Sequence, residues 1–522
     1  MVGAGKQPKD VLKPMSEPKF GYDAVPYSSF TFPQTRPDRL ATLATFFGMQ
    51  PAPPQKCRVL ELGCGDGTNL ISFAYILSES SFVGIDLGQR HIEDAKSAAA
   101  ELQLTNLEFH CEDVMNFSRE RYGEFDYIIA HGLFSWVPEA VRTKILNIYS
   151  ECLTPQGVGH ISFNAYPGCK TREMLWDMMK YYTVAVEDPM QKVAGGIQYL
   201  NFVNFAAEKE SVYQNLINDE LSQYKQRTAE NIFHDDFSPL NQPFYFHEFA
   251  TLLEDHGLQF LSEVDAYWTE SQLRPEIAAK LDELGDDVIR KEQFTDFIKG
   301  RPFRSSLVCR DSIKLDRDPP PNIVRSFYLA SQVEPASEQP DLRSSSKEKF
   351  MTPDGQIIEI DDPVTKAAVF YLQSIWSTSA SFDEVVEQAV AMAEADSIDI
   401  DSFASNLLNL FKKGFIYLHR FKPEFPTEAS DRPTASRFVQ WQIRRKCADI
   451  TALSGMNLRP DSDLMKLLLL LCDGTRTREE LTTELGKRIE FPDTRRAEAL
   501  EQLPELVNTK LADFARLGLL HN

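Results

Sequence analysis

The spacing of apolar and polar residues shows two distinct patterns in the first third of the chain. Five short runs are rich in β-branched or aromatic residues and end at turn residues, which predicts strands. They are RVLEL at 58–62, SSFVGID at 80–86, LEFHC at 107–111, FDYIIA at 125–130 and GHISFN at 159–164. The stretches between them place apolar residues at helical spacing, as in 90–104 and 142–153. Strands that alternate with helices predict an α/β fold built on a doubly wound parallel sheet.

The pattern changes beyond about residue 172, where long helical stretches replace the strands. We expect that residues 172–320 do not continue the sheet and form a mainly helical middle domain. The Pro- and Ser-rich stretch that follows predicts a linker. Beyond it, two segments share the order helix, turn, helix, helix and a glycine before a strand, with Gly414 and Gly518 at equivalent places. This internal repeat predicts two winged-helix-like units.

These patterns divide the chain into six expected parts, since 522 residues are too many for one core. The parts are an N-terminal arm and cap (1–48), a Rossmann-like domain (49–185), a middle domain (186–318), a linker (319–348) and two winged-helix-like units (349–425 and 430–522).

The net charge of −22 narrows the expected partners. Nucleic acids and anionic membranes need clustered Lys and Arg, so neither is expected as a partner. A basic protein substrate is compatible with this charge, and so is a role in solubility alone. The longest apolar run, 464–472, is too short to cross a bilayer, and the polar start of the chain lacks a signal-peptide pattern. The eight cysteines are scattered, so we expect reduced thiols, no metal site, no membrane insertion and a cytoplasmic location.

The strand at 58–62 runs into a glycine-rich turn that is suited to contact a small ligand. Glycines at alternate positions, Gly63, Gly65 and Gly67, allow positive φ angles and a close approach of the backbone. The first turn of the following helix presents free N–H groups. The dinucleotide fingerprint G-x-G-x-x-G is not met, because Thr68 stands where its third glycine is required. Glu61, inside the strand, would repel a pyrophosphate but suits a cationic ligand.

Asp86 ends the second strand, about 20 residues beyond the loop, where a carboxylate can accept hydrogen bonds from both hydroxyls of a ribose. The loop and Asp86 together resemble the nucleotide site of class I S-adenosylmethionine-dependent methyltransferases. The alternative is a glycine-rich turn in an unrelated α/β protein. The resemblance implies S-adenosyl-L-methionine as cofactor, bound by Glu61, the three loop glycines and Asp86. It also implies that an acid after the third strand binds the adenine amino group, and between Glu112 and Asp113 the register favours Asp113.

Further motifs resemble one bacterial methyltransferase family. A PY-x-S-x-x-F segment begins at Pro26, an AHG-x-x-SWVP loop spans 130–138 and an N-x-Y-P-G turn spans 164–168. The segment NQPFYFHEF and the stretches after it resemble the methyltransferase regulatory domain of the same family. Together these motifs resemble the rickettsial outer-membrane-protein lysine methyltransferases. The resemblance implies a class I methyltransferase fold and transfer of methyl groups to lysine amines of a protein by in-line displacement.

The candidate acceptor site lies where the fourth and fifth strands end, at the carboxyl edge of the sheet. His131 is a candidate to polarise the cofactor, to contact it or to take a proton, and the alternative is a structural hydrogen bond. The other expected catalytic residues are Tyr27, Asn164 and Tyr166, and the expected substrate walls are Tyr22, Phe134 and Trp136. The aromatic residues of the N-terminal cap either line this pocket or cover the sheet edge.

Three functions remain open on the sequence. The preferred one is a protein lysine methyltransferase whose carboxy-terminal half recruits the substrate protein. The second is a methyltransferase for a small metabolite or natural product, in which the winged units form a homodimer. The third is a non-catalytic binder of S-adenosylmethionine, which the intact set of acids and loop glycines disfavours.

Overall fold

The computed structural model describes residue 25 and residues 30–265, 273–285, 287–489 and 496–521. Tyr22 and Tyr27, both expected in the acceptor site, lie outside these residues. The chain forms two compact units, one of residues 1–28 with 171–241 and one of residues 29–170 with 242–522.

A seven-stranded sheet forms the centre of the larger unit. Its strands are β1 Arg58–Leu62, β2 Ser81–Asp86, β3 Leu107–Cys111, β4 Phe125–Ala130, β5 Leu153–Asn164, β6 Leu258–Glu263 and β7 Phe303–Arg310. They lie in the order β3-β2-β1-β4-β5-β7-β6, with β1 to β5 parallel and β7 antiparallel to both neighbours. This confirms the doubly wound sheet expected from the sequence. The strand order reverses between β1 and β4, the place where such folds bind ligands.

Helices cover both faces of this sheet, which explains why its central strands β1 and β4 are mostly apolar. Helix α1 Pro37–Phe46 precedes β1, and the helices between the first five strands are α2 Thr68–Ile76, α3 Gln89–Leu102, α4 Arg119–Tyr122 and α5 Glu139–Cys152. One face packs against α1, α2 and α3, and the other against α5 and the later helix Phe246–Glu254. In α3 the buried residues recur at helical spacing and include Ile92, Ala95, Ala98, Ala99 and Leu102.

The smaller unit is helical where the structure describes it. Its helices are α6 Cys169–Tyr182, α7 Pro189–Ala206, α8 Val212–Tyr224 and α9 Ala229–Asp236. The helices α7, α8 and α9 each begin with a side-chain cap, from Asp188, Ser211 and Thr228 respectively. In the described part of the chain, no helix combines the length and the apolar character needed to cross a membrane.

Strands β6 and β7 correct the expectation that residues 172–320 do not continue the sheet. They come from inside the expected middle domain, together with helices α10 Phe246–Glu254, α11 Pro275–Asp282 and α12 Val288–Lys299. Arg304 of β7 is buried and donates to Glu263 of β6 at 2.7 Å and to Glu292 and Asp296 of α12, each at 2.8 Å. The segments LQFLSE and FRSSLVCR mix polar with apolar residues, because part of the burial at this edge is ionic.

The first C-terminal unit begins earlier than expected and includes the predicted linker. Strand β8 (Tyr328–Ala330), within residues 319–348, lies between β12 (Ala380–Ser381) and β13 (Tyr417–His419) in a three-stranded sheet. The other elements are β9 Glu334–Pro335, β10 Glu348–Met351, β11 Ile357–Ile360, α13 Pro363–Ser374, α14 Phe382–Ala393 and α15 Ile400–Lys412. This unit shares one core with α1 to α3, in which the rings of Phe46 and Phe411 lie 5.2 Å apart.

The second C-terminal unit has a core of its own. It contains α16 Arg437–Arg444, β14 Ile450–Thr451, β15 Asn457–Leu458, α17 Asp463–Leu471, α18 Arg478–Arg488 and α19 Arg496–Arg516. Gly414 and Gly518 follow the last helix of their respective units with φ angles of +79° and +72°. Both turns use the left-handed conformation that glycine adopts without strain, in agreement with the internal repeat.

Candidate functional site

The turn after β1 is held by three glycines in the left-handed region. Gly63, Gly65 and Gly67 have φ angles of +71°, +55° and +73°. A Cβ atom on Gly67 would lie 2.3 Å from Cζ of Phe109, so the helix α2 can approach β3 only with glycine here. A Cβ atom on Gly65 would meet no heavy atom within 4 Å, so the outer face of this residue is open. The turn therefore combines a tightly packed end with an open backbone surface.

Asp86, at the carboxyl end of β2, ties the glycine turn to the next loop. Its Oδ2 accepts a hydrogen bond from the Gly65 N–H at 2.9 Å, and its Oδ1 accepts one from the Gly88 N–H at 2.8 Å. A carboxylate offers about four acceptor sites, so both oxygens retain capacity for further donors. The geometry is compatible with the predicted contact to two ribose hydroxyls.

Glu61 is buried in β1 directly below the turn, with 4% of its surface exposed. Its Oε1 accepts a hydrogen bond from Nδ2 of Asn69 at 2.8 Å, whereas its Oε2 has no partner. Burial raises the pKa of Glu61 to about 8, and the neighbouring Asp86 and Asp66 add to this rise. An unpartnered acidic oxygen in a buried position is costly, and a cation or N–H donor would relieve that cost.

Asn69 is a site residue that the sequence reasoning missed. Its Nδ2 also donates to Oγ1 of Thr35 at 3.1 Å, and its Oδ1 accepts from the Phe32 N–H at 2.9 Å. Asn69 therefore joins Glu61 to the segment before α1. The feature that could have identified Asn69 is a polar residue in the first turn of a helix that is buried almost throughout.

The same segment continues the connection into the second C-terminal unit. Oγ1 of Thr31 donates to Oδ1 of Asn457 at 2.7 Å, and Nδ2 of Asn457 donates to the carbonyl oxygen of Thr31 at 2.9 Å. Oγ1 of Thr451 also lies 3.0 Å from Oγ1 of Thr31. A chain of hydrogen bonds and short backbone links thus runs from the acid below the glycine turn to β14 and β15.

His131 follows β4 and packs among other rings. Its ring centroid lies 4.0 Å from that of Phe32 and 5.5 Å from that of His160. Burial lowers the pKa of His131 to about 4, and its Nδ1 has no hydrogen-bond partner. The imidazole is therefore neutral at physiological pH and has one buried polar atom ready for a ligand contact. Phe32 of the N-terminal cap packs on this ring, and the lining of the acceptor site by the cap stays a prediction.

The carboxyl end of β5 carries Asn164 and Tyr166. Asn164 is buried, and its backbone N–H donates to Oγ of Ser135 at 2.9 Å. The Tyr166 ring lies 5.2 Å from the ring of Tyr245, and the Lys170 ammonium lies 3.6 Å from the Tyr166 centroid. The face of Tyr166 thus already holds an alkylammonium group, in a cation–π contact.

The two predicted substrate walls in the loop after β4 differ in position. Phe134 is fully buried in the core, with its ring 5.7 Å from that of Phe244 and 5.8 Å from that of Phe249. This corrects the expectation that Phe134 forms a pocket wall, because its faces are covered by core side chains. Trp136, two residues later, is half-buried and stays a candidate.

The acids after β3 have separate partners. Glu112 accepts hydrogen bonds from Arg121, at 2.8 Å, and from the hydroxyl of Tyr122. Asp113 is exposed, and its Oδ1 accepts from the Met115 N–H at 2.9 Å. Because Glu112 is held by two local donors, Asp113 is the better placed of the two for a ligand, and its adenine contact stays a prediction.

Comparisons with known proteins agree with this architecture. Three family profiles match the chain: "Methyltransferase domain" over residues 54–212, "Predicted methyltransferase regulatory domain" over 228–310, and "PKMT, C-terminal winged helix domain" over 431–519. An uncharacterised protein of Rickettsia prowazekii is 30% identical over 438 residues, which is 81% of this chain and 78% of that protein. A second uncharacterised protein of R. prowazekii is 32% identical over 232 residues, which is 44% of this chain and 92% of that protein.

A solved structure extends the likeness to nearly the whole chain. PKMT2 from Rickettsia typhi, solved in complex with AdoHcy, superimposes with a TM-score of 0.84 and 25% identity. The match covers 95% of this chain and 100% of the rickettsial chain. The similarity therefore includes the sheet, the helical unit and both C-terminal units.

Proposed function

We propose a protein lysine as the methyl acceptor of this chain, which belongs to the class I S-adenosylmethionine-dependent methyltransferases that resemble the rickettsial protein lysine methyltransferases. The chain is a methyltransferase, and S-adenosylmethionine is its cofactor. The likeness to PKMT2 runs through the accessory units as well as the cofactor domain, which favours a protein acceptor over a small metabolite and over cofactor sensing without catalysis.

The residues of the glycine turn fit this cofactor. The unpartnered Oε2 of Glu61 suits a cationic ligand, and the open face of Gly65 leaves room for backbone contact. Asp86 keeps acceptor capacity for ribose hydroxyls. When bound, S-adenosylmethionine supplies an electrophilic methyl group on a positively charged sulfur. We assign cofactor binding to Glu61, Asp86, Asp113, His131 and the three loop glycines.

The observation that carries the lysine proposal is the occupied face of Tyr166. Lys170 places its ammonium 3.6 Å from the ring centroid, beside Tyr245, at the carboxyl end of β5. A lysine of a substrate protein has the same chemistry and can take the same contact when Lys170 moves aside. Lys170 is exposed at the surface.

A lysine must lose its proton before it can accept a methyl group, since its ordinary pKa is about 10.4. His131 is a poor proton acceptor for this purpose, because burial lowers its pKa to about 4. Removal of water by the aromatic lining lowers the pKa of the lysine itself, since burial disfavours the charged form. We therefore assign His131 a hydrogen-bonding role, and Asn164, Tyr166 and Trp136 the positioning of the amine.

The acceptor is tested by incubating the purified chain with S-adenosylmethionine labelled in its methyl group and a cell extract of its source. We expect label in protein, and mass spectrometry should place the added methyl groups on lysine. Label confined to small molecules, or to protein residues other than lysine, would contradict the proposal.

The role of Tyr166 is tested by a matched pair of substitutions. Tyr166→Phe keeps the ring face and should keep most of the activity, whereas Tyr166→Leu removes the face and should lower turnover about tenfold or more, for a contact of about 1–2 kcal/mol. Both variants should bind S-adenosylmethionine normally. If Tyr166→Phe loses activity as fully as Tyr166→Leu, the phenol and not the ring face is required.

A further inference from the structure

A cavity of about 540 Å³ lies in the larger unit, away from the glycine turn. Its walls come from the start of α1, the end of α2 and both C-terminal units. They include Pro33, Phe73, Leu77, Trp376, Tyr417 and Met456. The residues from α2 lie toward the amino-terminal edge of the sheet, opposite the edge where the methyl acceptor is expected. This space is therefore distinct from the proposed active site, and it is large enough for a small organic molecule.

Arg36, immediately before α1, is a wall residue with an unusual environment. Its guanidinium packs against the backbone of Gly455, where a Cβ atom would lie 1.1 Å from Nη1. Within the part of the chain that the structure describes, its Nη2 is a buried atom without a hydrogen-bond partner, and the negative charge of Asp38 acts on the guanidinium. Burial lowers the pKa of Arg36 to about 10, so the side chain remains charged at neutral pH.

The two carboxylates that line the cavity, Asp38 and Asp265, interact with groups other than Nη2 of Arg36. Oδ1 of Asp38 accepts from the backbone N–H groups of Arg420, at 2.7 Å, and Phe421, at 2.8 Å. Oδ2 of Asp38 lies 2.9 Å from Nδ1 of His419. The Arg39 guanidinium donates to the carbonyl oxygen of Val264 through Nε at 2.9 Å. Its positive charge opposes the rise that burial causes in the pKa of Asp265. Arg36 is thus a half-buried cation, and Asp38, whose charge acts on it, has its hydrogen-bonding oxygens engaged by other groups.

The remaining walls combine aromatic and apolar side chains with neutral polar ones such as Gln34, Gln332 and Thr378. The rings of Trp376 and Tyr417 lie 5.9 Å apart, both half-buried, and the buried Phe73 of α2 lines the same cavity. A ligand that fits this cavity needs a negative group for Arg36 and a flat apolar body for the rings. A guanidinium with an unpartnered Nη2 favours an anion that accepts N–H bonds, such as a carboxylate, sulfonate or phosphate.

We propose that this cavity is a second ligand site, which binds a small aromatic organic anion with its charged group on Arg36 and its ring against Trp376 and Tyr417. Because walls from both C-terminal units and from α1 meet here, an occupied site fixes these units against the cofactor domain. The site is separate from the cofactor and acceptor positions and does not depend on lysine being the acceptor.

The test uses the full chain and 2-naphthalenesulfonate as probe, with uncharged 2-naphthalenesulfonamide as the matched ligand. Isothermal titration calorimetry of the wild type should show one saturable site for the sulfonate, with much weaker binding of the sulfonamide. Arg36→Gln should weaken sulfonate binding about tenfold or more, the value of one charge-assisted hydrogen bond. Arg36→Lys keeps the charge and should keep part of the affinity. Arg459→Gln, at an arginine whose side chain is 75% exposed, should have no effect.

Arg36→Gln removes a half-buried charge, so the variant should fold, and its thermal midpoint should equal or exceed that of the wild type. No saturable binding by the wild type at millimolar sulfonate overturns the proposal. So does equal affinity in Arg36→Gln, or equal affinity for the sulfonamide, since each removes the role of the guanidinium.

Discussion

Glu61→Gln should make the cofactor-free protein more stable and at the same time weaken cofactor binding. The folded protein holds this carboxyl at a pKa of about 8 against an ordinary value of 4.5. A raised acid pKa means that its contribution to stability is fully present below pH 4.5 and is lost as the pH rises toward 8. At pH 7, about 2.5 pH units above the ordinary pKa, ionisation of this carboxyl favours the unfolded chain. The resulting loss in the free energy of unfolding has an upper limit of about 3 kcal/mol.

Glutamine removes this cost without removing the local contact. Its side-chain oxygen can still accept from Nδ2 of Asn69, as Oε1 of Glu61 does at 2.8 Å. In place of the unpartnered Oε2 it carries a neutral amide group. The charge that suits a cationic ligand is lost, and the corresponding charge-assisted hydrogen bond is worth about 1.5–3 kcal/mol, or about 10- to 150-fold in the dissociation constant.

Two assays measure the two effects. Thermal unfolding of the cofactor-free protein should show that the stability of the wild type falls between pH 5 and 8. In Glu61→Gln this part of the pH dependence should be absent. Calorimetry should show that affinity for S-adenosylmethionine rises with pH up to about 8 in the wild type, because Glu61 must lose its proton. The exposed Glu79, changed to glutamine, is the control and should alter neither result. A Glu61→Gln protein that is less stable than the wild type at pH 7, or that binds the cofactor equally well, refutes this reasoning.

Three other outcomes follow from the same structure. Gly67→Ala should destabilise the protein by about 2–5 kcal/mol through backbone strain and the contact with Phe109, whereas Gly65→Ala should cost only about 1–2 kcal/mol in its open position, as thermal midpoints would reveal. His131→Gln should leave the shape of the pH–rate profile between pH 6 and 8 unchanged, because the pKa of His131 is about 4; a lost inflection near pH 6.5 would identify it as a proton acceptor after all. Deletion of residues 345–522 should yield insoluble protein, because it removes Phe411 and much of the core shared with α1 to α3; a soluble fragment that binds cofactor would contradict this account.

Local sequence signals predicted the parts of the fold whose causes are local. The five parallel strands are short apolar runs closed by turn residues, and the glycine turn needs its residues for backbone conformation alone. The sequence revealed the internal repeat because Gly414 and Gly518 each follow the last helix of one of two similar helical segments. Each of these features is determined by neighbours within a few positions in the chain.

The features that the sequence did not reveal depend on distant partners. Strands β6 and β7 satisfy polar residues through a buried ionic cluster around Arg304, so they lack a clear apolar pattern. The expected linker contains Val324, Phe327 and Leu329, whose burial requires a partner surface more than 40 residues away. Asn69 acquires its role only because Thr35 and Phe32 fold back onto the first helix after the glycine turn.

The hydrogen bonds between Thr31 and Asn457 have a consequence for how the protein is made. These residues are separated by 426 positions, so the cap segment gains this partner only after the ribosome has synthesised the chain past β15. Incomplete nascent chains and proteolytic fragments that end before β15 lack the outer support of the segment that holds Asn69 and, through it, Glu61. We therefore expect fragments that end before β15 to bind the cofactor more weakly than a chain that includes this strand.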